Sequence, residues 1–206
     1  MGDCFILWQY HVGETSRGKY LPPAGAVAAS ANCAHTRRMD DIRFRHCAPG
    51  DYDAVVDIYN HYIENSHATF DTRPYSIGER APWFSQFNES GPNQLLVAEQ
   101  NGTVLGFCCS TPFKDRVAYD VSVETTMYLT AEAAGQGIGK RLYEALLKNL
   151  SGIGLHGAYA GIALPNDASV NLHEALGFRK VGLFEEVGWK FGKYWSVAWY
   201  ELRIQD

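Results

Sequence analysis

The chain has 206 residues, 46% of them hydrophobic, which is enough to bury one good core and crowded for two full domains. A net charge of -5 at pH 7 argues against a general nucleic-acid binder, which needs a surplus of Lys and Arg on one face to neutralise phosphates. No run approaches the roughly 20 apolar residues that cross a bilayer, so no membrane partner is expected. Cys4, Cys33, Cys47, Cys108 and Cys109 form no CxxC and include an adjacent pair that bridges only under strain, so they read as reduced thiols of a cytosolic protein. With the histidines scattered outside any ligand motif, no metal is expected.

Residues 1–38 include GETSRGKYLPPAGAVAASANCAH, rich in Gly, Ala, Ser and Pro without a period of 2 or 3.6, and read as a flexible leader to a folded domain at 39–206. Met39 directly precedes DDIRFRHC and is a candidate natural start. In that segment Ile42, Phe44 and His46 alternate and predict a first strand. PGDYDAVVDIYNHYIENS then places Val55, Ile58, Tyr59, Tyr62 and Ile63 on one helical face after an Asp-bearing start. SIGERAPWFSQF predicts a second helix, with Ser76 and Glu79 at capping-box spacing and Pro82 expected in its first turns.

QLLVAEQNGTVLGFCCS is two apolar runs joined by Asn101-Gly102, a hairpin signal, and YDVSVETTMYLT alternates as the next strand. GIGKRLYEALLKNL is helical with Leu142, Ala145, Leu146 and Leu150 inward. GAYAGIAL is a strand, DASVNLHEALGF a short helix stopped by Gly177, and RKVGLFEEVGWKF and YWSVAWYELRI are two final strands. The order β-α-α-β-β-β-α-β-α-β-β predicts an α+β sandwich, a mixed sheet with helices on both faces.

The loop AGQGIGKRL carries glycines at 135, 137 and 139 between a strand and a helix. A P-loop needs Gly where Ala134 stands and Ser or Thr where Arg141 stands, and the dinucleotide fingerprint GxGxxG fails because the glycines run GxGxG. What remains is backbone: Gly137, Ile138, Gly139 and Lys140 can point amides at an anion on the helix N-terminus, with Lys140 or Arg141 adding charge, or the glycines only shape a turn.

Here the sequence resembles the GNAT N-acetyltransferases, whose acetyl-CoA loop runs Gln/Arg-x-x-Gly-x-Gly/Ala. The match is Ala134-x-x-Gly137-x-Gly139, with Ala in place of Gln or Arg. LPNDASVNLHEALGF is similar to the family's Asn-led helix and Gly-Phe turn. Together with IYNHYIENSHATFDTRP, AYDVSVETTMYL and EVGWKFGKYWSVAWYEL, it resembles the branch of phosphinothricin and methionine sulfoximine N-acetyltransferases, over roughly Ile42 to Ile204.

The resemblance implies a GNAT fold with a mostly antiparallel sheet, and acetyl-CoA as co-substrate without a metal. The pyrophosphate is expected on Gly135, Gln136, Gly137, Ile138, Gly139 and Lys140, and the pantetheine arm on Asn166 and on the backbone at Met127, Tyr128 and Leu129. Glu124 corresponds to the branch's base, and His173 stands where many relatives carry a general-acid Tyr, able to supply a proton or hold one in a network with Glu124. Phe70, Arg73, Lys114, Arg116 and Tyr119 are candidates to hold a small amino-acid-like acceptor. The aromatic tail, with Trp189, Phe191, Tyr194, Trp195 and Trp199, is expected to pair subunits in a homodimer. Direct attack in a ternary complex leaves Cys108 and Cys109 as buried strand thiols. Acetylation of a protein N-terminus or lysine, and a non-catalytic acetyl-CoA sensor, are the rival readings.

Overall fold

The computed structural model describes residues 41–204, so the expected leader over 1–38 and the start at Met39 lie outside the described residues. Seven strands and four α-helices follow in the predicted order. They are β1 (Ile42–His46), α1 (Tyr52–Asn65), α2 (Ile77–Phe84), β2 (Leu95–Gln100), β3 (Thr103–Pro112), β4 (Ser122–Leu129), α3 (Ile138–Leu150), β5 (Gly157–Leu164), α4 (Asp167–Ala175), β6 (Arg179–Lys190) and β7 (Lys193–Arg203).

The strands form one sheet in the order β1-β2-β3-β4-β5-β7-β6. Neighbours are antiparallel except β4 and β5, which run parallel because α3 carries the chain between them. The β2–β3 hairpin turns on Asn101 at φ 52° and Gly102 at φ 80°, the two positive values that a two-residue turn of matching twist requires.

Alternation along the strands feeds two cores. On one face α3 sets Leu142, Tyr143, Leu146 and Leu150, all fully buried, against Val123, Ala158, Ile162 and Ala198, with Ala145 half-buried beside them. On the other face, α1 and α2 bring Val55, Val56, Ile58 and Phe84 onto Leu95, Val97, Phe107, Cys109 and Tyr128, with Tyr59 and Tyr62 half-buried at the edge. Among the described residues no helix is long and apolar enough to cross a membrane.

One local detail differs from expectation and a second agrees with it. Asp51 precedes α1 but does not cap it with its side chain: the carboxylate accepts from the Arg45 guanidinium at 2.6 and 2.8 Å and from the Ala48 N–H at 2.7 Å. A charge-assisted bidentate pair outweighs a single cap bond, and Arg45 holds the Asp51 carboxyl below its ordinary range. In α2 the capping box forms, Ser76 accepting from the Glu79 N–H and Glu79 from the Ser76 N–H. Pro82 falls in the second turn, where the edge-on contact of Trp83 with Phe87 at 4.7 Å and burial of Phe84 hold the short helix together.

Candidate active site

The parallel β4–β5 pairing lasts only from Ser122↔Gly157 to Glu124↔Tyr159. Beyond that point β4 stays with β3 as far as Gly106↔Leu129, while β5 stays with β7 as far as Leu164↔Ser196. The sheet therefore forks. Over residues 125–129 the edge of β4 that faces β5 has no strand beside it, and such an edge offers N–H and C=O groups to a ligand that lies down like an added strand. The Thr125 hydroxyl donates across the apex to the Tyr159 carbonyl at 3.1 Å. Met127 and Leu129 pack toward α3, and Tyr128 is buried on the opposite face.

The chain leaves β4 at the open end of the fork and enters α3 through the glycine loop. Gly135 and Gly137 adopt φ 72° and 75°, and Gly137 is the left-handed N-cap of α3. The helical ladder starts with the Arg141 N–H on the Gly137 carbonyl at 3.3 Å, which leaves the N–H groups of Ile138, Gly139 and Lys140 aimed out of the first turn. Positive helix-end charge and these donors suit an anion. Gly139 has a packing reason of its own: a Cβ there would lie 3.1 Å from Leu129 Cδ1 and from Met127 Cε. Gln136 turns its amide onto the Glu132 carbonyl, and exposed Lys140 sits 3.9 Å from Glu144.

The other lip of the fork is the turn after β5. Asn166 N-caps α4, its Oδ1 accepting from the Ser169 N–H at 3.1 Å, and its Nδ2 has no partner among the described residues.

Glu124 stands at the apex, on the α1–α2 face. Burial raises its pKa above the ordinary carboxylate value, Lys114 opposes that rise, and the carboxylate has no hydrogen-bond or ion-pair partner among the described residues. An aromatic floor adjoins it: Phe113 stacks on Tyr159 at 4.4 Å and meets Tyr119 and Trp199 edge-on at 5.9 and 6.0 Å. Lys114 lies over the Phe113 ring at 4.9 Å, so Phe113 gathers Lys114 and Tyr119 beside the fork. Arg116 is exposed at the start of the turn that carries Tyr119. Phe70 rests on Gly188 of β6. Arg73 is drawn elsewhere, to Glu79 at 2.8 Å near the start of α2.

His173 occupies the opposite face of the sheet. The ring is buried, its Nδ1 donates to the Ser169 carbonyl at 2.7 Å, and its Nε2 meets the Tyr143 hydroxyl at 3.2 Å. Tyr143 in turn meets the Thr125 hydroxyl at 2.5 Å. Among the described residues no hydrogen bond joins His173 to Glu124; the chain of bonds runs instead through Tyr143 to Thr125 at the apex. Burial lowers the His173 pKa against the Ser169 carbonyl, which raises it. Tyr143, Thr125 and Phe113 escaped the sequence reading. Of these only Tyr143 carried a signal, a hydroxyl on the inward stripe of an otherwise aliphatic helix, where it must find a partner.

Comparison with known proteins places the chain in a family. The model of the acetyltransferase (GNAT) family matches residues 55–178. A phosphinothricin N-acetyltransferase of Streptomyces coelicolor is 46% identical over 163 residues, 78% of this chain and 95% of that protein. An L-methionine sulfoximine/L-methionine sulfone acetyltransferase of Pseudomonas paraeruginosa is 29% identical over 78% of this chain and 93% of its own. The crystal structure of a phosphinothricin acetyltransferase from Sinorhizobium meliloti, in complex with acetyl-CoA, superposes with a TM-score of 0.76 at 31% identity, covering 80% of this chain and 89% of that one.

Proposed function

The chain belongs to the GNAT acetyltransferase family, and from that premise we propose that it moves the acetyl group of acetyl-CoA to the amine of a small amino-acid-like acceptor: phosphinothricin, methionine sulfoximine or methionine sulfone. The observation that carries this reading is the fork: a free strand edge, a glycine-lined helix start at its open end and a partnerless carboxylate at its apex. The two lips fit the co-substrate. Amides of residues 137–140 suit a pyrophosphate, the β4 edge at Met127, Tyr128 and Leu129 suits the amide-bearing pantetheine arm, and Asn166 has a spare donor to offer that arm from the far lip. The thioester then lies at the apex.

Glu124 is assigned the base. An acceptor amine arrives as ammonium, and a half-buried carboxylate both attracts it and takes its proton. The freed lone pair forms the C–N bond to the thioester carbon. The C–S bond breaks as the intermediate collapses, and the proton that nitrogen then loses balances the departing thiolate. On the other face, the chain of bonds from His173 ends at the apex on the Thr125 hydroxyl, which is buried and donates to the Tyr159 carbonyl. A proton can pass to that hydroxyl from His173 through Tyr143 only while the imidazole is cationic, a form that burial disfavours. No acyl-enzyme is needed, and burial pushes the Cys109 thiol up to about 12, where it is no nucleophile at neutral pH.

Lys114, Arg116 and Tyr119 are assigned to the acceptor's anionic groups, and Phe70 and Phe113 to its apolar stem; Arg73 is assigned to bracing α2. A cytosolic location fits the free thiols Cys47, Cys108 and Cys109. A homodimer fits the exposed apolar side chains of β6 and β7. Replacing Glu124→Gln tests the mechanism: turnover should fall about 10²- to 10⁴-fold while acetyl-CoA affinity holds within about twofold. Unaltered turnover would remove Glu124 from the chemistry.

A further inference from the structure

Residues 66–71, between α1 and α2, cross the open end of the fork as a strap. On the β4 side, the Tyr62 hydroxyl donates to the Leu129 carbonyl at 2.8 Å, and the Thr69 hydroxyl meets that of Tyr59 at 2.8 Å, whose ring packs edge-on against Tyr128 at 5.1 Å. Tyr59 donates onward to Asp71 at 2.6 Å. On the β5 side, His67 Nε2 donates to the Pro165 carbonyl at 2.9 Å, next to Asn166. The strap thus spans both lips on the face that carries Glu124 and Tyr128.

What holds the strap from behind is the β6–β7 hairpin. Lys190, only 4% exposed, sends its Nζ to the carbonyls of Ser66 and Thr69, both at 2.8 Å. The Lys190 carbonyl is itself fixed by the Trp195 indole N–H at 2.8 Å, and Trp195 stacks flat on His67 at 3.8 Å. Phe70 fits onto the hairpin only because Gly188 has no side chain; a Cβ there would collide with the Phe70 ring. A buried ammonium is costly unless its donors are used. Here they fasten two carbonyls three residues apart in a segment with no ladder of its own.

We propose that Lys190 is a positioning residue for the acceptor: by pinning the strap it holds Phe70 and Thr69 over the Glu124 face, and so sets acceptor affinity without touching the acceptor. The proposal rests on the acetyl-transfer reading for its kinetic consequence and on the strap geometry alone for its physical one. The test uses the whole chain with Lys190→Met, which keeps the buried stem and removes the donors, and with Gly188→Ala, which displaces Phe70 and leaves the charge.

Lys190→Met should raise the KM for phosphinothricin about tenfold, the worth of one to two such bonds. Acetyl-CoA Kd should stay within twofold, and hydrogen exchange should quicken in residues 66–71 but not in 157–164. Gly188→Ala should raise the same KM. An unchanged acceptor KM in folded Lys190→Met overturns the proposal, as does a matching loss of acetyl-CoA affinity with faster exchange throughout, which is the mark of a general staple. If Lys190→Met does not fold, Gly188→Ala decides by the same KM. If the unmodified protein acetylates none of the acceptors, the reading of function fails instead; exchange confined to 66–71 still supports the pin, and unchanged exchange there still defeats it.

Discussion

A carboxyl group half-buried on a strand face, with no hydrogen bond or ion pair among the described residues, is favoured by the fold in its neutral form, and Glu124 is that group. Its folded pKa is raised, so its contribution to stability is full below the ordinary value near 4.5 and is lost as pH rises through the raised one. Two effects of opposite sign follow for Glu124→Gln. The thermal midpoint at neutral pH should rise, read by calorimetry, while the acidic limb of kcat/KM, which the unmodified protein should show above 4.5, should disappear. A lower midpoint together with a retained limb would mean that Glu124 is an ordinary structural residue. The sequence made Glu124 legible because a carboxylate on an alternating apolar strand demands a reason. It left Phe113 and Thr125 illegible, since an aromatic and a threonine in or beside a strand are satisfied by ordinary packing. The pairing of His173 with Tyr143 joins residues 30 apart in sequence on different helices, and no local pattern encodes it.

Among elements, helix order and type were readable from periodicity and caps: α2 opens on Ser76 and Glu79, and the β2–β3 turn on Asn101 and Gly102. The fork was not readable, because alternation tells which face of a strand is buried and not how far its partner follows it. Asp51 shows a related limit, a capping residue drawn away by Arg45 from a neighbouring strand. Asn166 joins both levels. Its Oδ1 caps α4 while its Nδ2 is spare, so Asn166→Asp should keep the helix, Asp being as good an N-cap, and remove only the donor. The expected result is an unchanged denaturation midpoint with acetyl-CoA binding weakened about tenfold in titration calorimetry, the scale of one hydrogen bond. Unchanged binding would leave Asn166 a cap and nothing more.

At the scale of the molecule, β6 is one of the two edges of the sheet, and edges are normally blunted or covered. This one carries Phe184 at 51%, Val187 at 58% and Trp189 at 57% exposure, with Tyr194 at 59% opposite on β7, an apolar surface that a second copy would cover. Sedimentation equilibrium should find a dimer, and Val187→Glu with Trp189→Glu should give monomers; a monomer before substitution would contradict the expectation. The aromatic tail made this surface visible in sequence, but only the structure separates buried Trp195 and Tyr200 from the exposed set. The central claim is acetyl transfer to a small amino-acid-like amine, and the measurement that meets it most directly is release of CoA thiol from acetyl-CoA, in parallel with phosphinothricin, methionine sulfoximine, methionine sulfone and a lysine peptide. Saturable release with the first three and none with the peptide is the predicted result. Release with the peptide alone, or acetyl-CoA binding without release from any of the four, would contradict it.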